Sequence, residues 1–115
     1  MDAYSRFAQK RIALDLDGTI ASHVDFKKLV PIGEPIDGSH EFVKRLQRMG
    51  EVFIHSGRAV DREAVRTIEQ WLRTNGFGIA KVLGKPRAIA YIDNRGVHFG
   101  GDYDAVLAAV EGLSK

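Results

Sequence analysis

"IALDLDGTI", residues 12–20, sets a short apolar run against two carboxylates one residue apart, Asp15 and Asp17, followed by Gly18 and Thr19. Ile12, Ala13 and Leu14 suit a buried strand. Gly18 lets the backbone turn sharply beyond it, and the Thr19 hydroxyl can tie that turn. Side chains two apart on an extended chain point to the same side, with Cα atoms about 6.6 to 6.8 Å apart. Both carboxylates can therefore face one small site, where their repulsion asks for a counter-charge.

Outward from that stretch, strand and helix patterns alternate. "IASHVDFKKLVPIGEPID", residues 20–37, holds two of the three prolines and no helical period, which predicts a loop with a short flap over residues 21–37. Phe42, Val43, Leu46 and Met49 make one apolar face of a helix over residues 39–49, stopped by Gly50. "EVFIH", residues 51–55, is a strand ending in "SGR". Asp61 caps a second helix carrying Val65, Ile68 and Leu72, with Ala64 and a core-facing Trp71 alongside, until Asn75 and Gly76 end it. "IAKVL", residues 79–83, predicts another short strand. "AIAYIDN", residues 88–94, predicts a strand rising into an acidic end, and "GVHF", residues 96–99, a brief hairpin partner. Val106, Leu107, Val110 and Leu113 mark a last helix over residues 102–113. This order predicts a single α/β domain over residues 1–115, a Rossmann-like three-layer sandwich with a mostly parallel central sheet. The first ten residues are expected to be a flexible N-terminus.

The composition narrows the function classes. Hydrophobic residues make up 44% and charged residues 28%, which fits a globular protein and argues against disorder. Seventeen Lys and Arg stand against 15 Asp and Glu, scattered along the chain, a balance too slight to announce nucleic acid. The absence of cysteine excludes disulfides, thiolate catalysis and cysteine-bound zinc. "MDAYSRFAQK" lacks the apolar core of a secretion signal, and no apolar stretch approaches the roughly 20 residues of a membrane span. A cytoplasmic protein with no membrane partner is expected. His23, His40, His55 and His98 lack metal-ligand spacing and read as surface or packing residues. The glycines of "GFGIAKVLGK" do not make a phosphate-loop pattern.

Parallel sheets bind ligands beyond the carboxyl ends of their strands. That rule gathers Asp15 and Asp17, Ser56, Lys85, and Asp93 with Asn94 at one sheet edge. Asp15, a carbonyl of the first turn and Asp93 are the hard oxygens Mg²⁺ prefers. Ser56 and the amides near Gly57 can donate to a phosphate, and Lys85 can balance its charge. These parts suit attack by a carboxylate on phosphorus, a reaction that mainly demands positioning and charge neutralisation.

The same residues resemble the four motifs of the haloacid dehalogenase superfamily. "DLDGTI" is similar to its first motif, "FIHSGR" to its second, Lys85 in "GKP" to its third and "YIDN" to its fourth, in order across roughly residues 11–100. The resemblance implies that Asp15 is the nucleophile that forms an aspartyl-phosphate and that Asp17 is the general acid, then base. It implies a phosphatase rather than a dehalogenase. Ser56, with Gly57, Arg58 and Thr19, would bind the phosphoryl group, and Lys85 would stabilise it. Asp15, Asp17 through its main-chain carbonyl, Asp93 and Asn94 would hold Mg²⁺. Asn94 departs from the family, which commonly has a second acid there, and leaves one negative charge fewer. Neither gap between motifs has room for a cap domain, so a capless member is implied. Such a member would act on a large phosphorylated substrate or borrow a neighbouring subunit of a homo-oligomer as its lid. Sugar phosphates, nucleotides and nucleic-acid ends all remain open as substrates, and Lys27 and Lys28 on the flap could attract an anionic one. Two alternatives stand beside the phosphatase: a catalytically idle relative that binds a partner, and a receiver-like signalling module.

Overall fold

The computed structural model describes residues 10–23, 31–86 and 88–113, and the structural statements below concern these residues. Most of the expected flexible N-terminus, residues 1–9, lies outside them, as do flap residues 24–30 with Lys27 and Lys28. The elements run β1 (Arg11–Leu14), α1 (Ser39–Met49), β2 (Glu51–Ser56), α2 (Arg62–Thr74), β3 (Val82–Gly84) and α3 (Tyr103–Leu113). The three strands form one sheet in the order β1-β2-β3, parallel throughout. Two crossovers of the same hand that step in the same direction bring α1 and α2 onto one face.

The register explains the core. Ile12 pairs with Val52, Leu14 with Ile54, and Ile54 with Val82, so the apolar positions of the three strands share one side of the sheet. Phe42, Val43 and Leu46 of α1, Ile68 and Leu72 of α2, and Leu107 of α3 close over that side with Phe77 and Ile79 as one continuous cluster. Asp61 begins α2 as expected, its carboxylate accepting the Ala64 N–H at 2.8 Å. His40 is a packing residue, stacked on Phe77 with centroids 4.1 Å apart and bonded through Nε2 to the Asn75 carbonyl.

Two expectations need correction. On the other side of the sheet Ala13 and Leu83 are exposed and Phe53 and His55 half-buried, so the described residues make two layers rather than three. "AIAYIDN" is not a strand: Ile89 and Ile92 are fully exposed, and "GVHF" forms no hairpin with it. Local contacts satisfy this segment instead. The Tyr91 hydroxyl donates to the Pro86 carbonyl, the Lys85 ammonium lies 4.5 Å over the Tyr91 ring, and Asp93 accepts the Arg95 N–H. Strand propensity that is not matched by a covered face is a weak force.

Candidate active site

The turn beyond β1 is built around Leu16. Between the two aspartates in sequence, its side chain is buried in the core, and its carbonyl accepts the N–H groups of Thr19 at 3.2 Å, Ile20 at 3.0 Å and Ala21 at 3.0 Å. Gly18 takes a φ of 78°, the left-handed conformation that this reversal requires. Its own N–H closes the turn on the Ala21 carbonyl at 2.8 Å. The flap returns beside this turn, with the Ser22 N–H on the Glu34 carbonyl at 2.7 Å and the Ile36 N–H on the Ile20 carbonyl at 2.9 Å. Trp71 does more than fill the core: half-buried, it donates its indole N–H to the Gly33 carbonyl at 3.0 Å and so ties the flap to α2.

Asp15 and Asp17 emerge on this turn, both partly buried. Burial pushes the Asp15 carboxyl above its ordinary pKa, and the Asp17 charge adds to the rise. Lys85 opposes it most, followed by the Leu16 N–H, with the Thr19 hydroxyl contributing least. The Lys85 charge therefore acts on Asp15 from just beyond the end of β3.

Ser56 ends β2 almost fully buried. Its hydroxyl oxygen accepts the Arg58 N–H at 3.1 Å, and its carbonyl accepts the Ala59 N–H at 3.2 Å and the Lys85 N–H at 3.1 Å. A Cβ at Gly84 would come within 2.7 Å of the Ala59 carbonyl, so glycine is what lets β3 deliver Lys85 so close to the β2 turn. Gly57 faces open space. Arg58 donates from Nε to both Asp17 oxygens, at 3.0 Å and 2.8 Å.

Three of the four expected segments therefore meet, and the fourth does not. Asp93 and Asn94 are exposed on the irregular segment, and among the described residues no three His, Cys, Asp or Glu side chains are grouped to hold a metal ion. The donor set for Mg²⁺ is thus partial. The partly buried Asp15 carboxylate and the nearby Asp17 carbonyl are hard oxygens that suit a divalent cation, whereas Asp93 is exposed and not grouped with them. Sequence reasoning missed Tyr103, whose hydroxyl donates to the Thr19 carbonyl and ties α3 to the β1 turn. Its ring stacks on Phe42 with centroids 4.3 Å apart, and burial raises the pKa of its hydroxyl. An aromatic at the start of a helical face carried no signal that it would reach the site.

No helix among the described residues is long and apolar enough to cross a membrane. No protein-family model matches the chain, and no curated protein matches it. A conserved protein from Bacteroides thetaiotaomicron has a solved structure similar to this one, with 24% identity, a TM-score of 0.60 and 93% of each chain covered. The crystal structure of a target protein from Vibrio cholerae is also similar, with 20% identity, a TM-score of 0.64, and 91% of this chain and 99% of that one covered. The chain shares its α/β fold with these two proteins over nearly its whole length.

Proposed function

We propose that the chain is a Mg²⁺-dependent phosphomonoester hydrolase of the haloacid dehalogenase type, without a cap domain, working through an aspartyl-phosphate on Asp15. The observation that carries this reading is the meeting of three neighbouring parallel strand ends around Asp15, with Asp17, Lys85 and the Ser56–Arg58 turn about it. In the first half-reaction an Asp15 oxygen bonds to phosphorus as the bond to the leaving oxygen breaks, and Asp17 gives its proton to that oxygen. In the second, water attacks the same phosphorus, Asp17 takes the proton, the bond to Asp15 breaks and inorganic phosphate leaves. Lys85 offsets the charge on Asp15 and the transferring oxygens, while Ser56, Thr19 and the N–H groups about Gly57 donate to the phosphoryl group. Mg²⁺ would supply further charge neutralisation, and in this reading Asp15, the Asp17 carbonyl, Asp93 and Asn94 would hold it. The substrate is a phosphorylated small molecule or a nucleic-acid end, with a second copy of the chain as a lid where one is needed.

Purified protein is expected to hydrolyse p-nitrophenyl phosphate when Mg²⁺ is present. Asp15→Asn should lower kcat by a factor on the order of 10³ or more with an unchanged far-ultraviolet circular dichroism spectrum. Undiminished turnover in that variant rules out the nucleophile assignment. The exposed Asp93 favours one second reading, a catalytically idle relative that binds a partner, for which the unaltered chain shows no turnover at any Mg²⁺ concentration.

A further inference from the structure

Arg58 belongs to the turn expected to receive the phosphoryl group, yet its Nε–H is already shared between the two oxygens of Asp17. The two side chains are only 17% and 7% exposed, so this charge-assisted contact is largely withdrawn from water. The Arg58 backbone N–H is held by the Ser56 hydroxyl at 3.1 Å, which gives the side chain a fixed base from which to turn. Beside that base, nothing lies within 4 Å of where a Gly57 Cβ would stand. A guanidinium matches two oxygens of a phosphate as well as it matches a carboxylate, so an anion entering at Gly57 competes with Asp17 for it.

We propose that Arg58 changes partners during the reaction: paired with the Asp17 carboxylate in the resting site, it turns to the incoming phosphoryl group, and Asp17, so released, takes up a proton from solvent that it then passes to the leaving oxygen. This rests on the phosphatase reading and adds a trigger to it. The substrate's own phosphate frees Asp17, and a ligand of similar shape without a phosphoryl group leaves the pair closed.

A double-mutant cycle read by calorimetric titration with inorganic phosphate, in Mg²⁺ buffer, tests the exchange. The proteins are the unaltered chain, Asp17→Asn, Arg58→Gln and the double variant, with p-nitrophenyl phosphate turnover of the unaltered chain measured alongside. Asp17→Asn should tighten phosphate about tenfold, whereas the same change in the Arg58→Gln background should alter affinity less than about threefold. An equal gain in both backgrounds assigns the effect to lost repulsion and overturns the exchange, as does no gain in Asp17→Asn or no phosphate binding by any of the four. If the cycle behaves as expected but the unaltered chain turns nothing over, the hydrolase reading falls and takes the proton-transfer role of Asp17 with it, while the exchange of Arg58 from Asp17 to a bound phosphate stands. Arg58→Lys replaces Arg58→Gln should the latter fail to give a cooperative thermal melt.

Discussion

At the residue scale, Asp15 carries a cost to folding that the proposed function would make it bear. A carboxyl whose pKa is higher folded than unfolded holds its proton more tightly in the folded state. Its contribution favours folding below the unfolded value, and that advantage is lost as pH rises through the folded value. Burial raises Asp15, so its ionisation weakens the fold near neutrality. Asp15→Asn should therefore melt higher than the unaltered chain at about pH 7, with the gap closing towards about pH 3.5, below the ordinary Asp value. Equal melting temperatures at both pH values contradict this account. The placement of Asp15, Asp17, Ser56 and Lys85 at neighbouring strand ends was legible in the sequence, because it follows from where the apolar strand runs stop. The Arg58 pairing with Asp17 and the Tyr103 contact with Thr19 were not, because each joins segments far apart in the chain.

At the element scale, the helices were the most readable part. The predicted helix over residues 39–49 is α1 (Ser39–Met49), and the predicted start at Asp61 is realised as a side-chain cap. Helical period and capping are local properties, so the sequence states them directly. Strand formation depends on a partner edge and a covered face, which no local pattern contains. That is why "AIAYIDN" misleads. With Ile89 and Ile92 exposed, Ile89→Ser and Ile92→Ser should each change stability by less than about 0.5 kcal/mol in urea melts. Losses of about 2 kcal/mol or more would mean that these side chains are buried after all.

At the scale of the whole molecule, the described residues place α1 and α2 on one side of a three-stranded parallel sheet with α3 packed against α1, and every element contributes to a single apolar cluster. Fold class and parallel order were legible because β and α segments alternate along the chain. The number of layers was not, because it depends on where the residues after β3 settle. Leu46 lies at the centre of the cluster, 1% exposed. Leu46→Ala should cost about 2 to 5 kcal/mol, lowering the urea midpoint in one transition measured identically by tryptophan fluorescence and circular dichroism.

The single carbonyl of Leu16, which gathers three backbone N–H groups, has a consequence for binding. Ordering a loop around a ligand costs conformational entropy at the moment of association. Here the segment that carries Asp17 and Thr19 is fixed by its own backbone bonds before any ligand arrives. The entropy of arranging that segment is lost during folding, so under the proposed function the binding of a phosphate ester need not supply it.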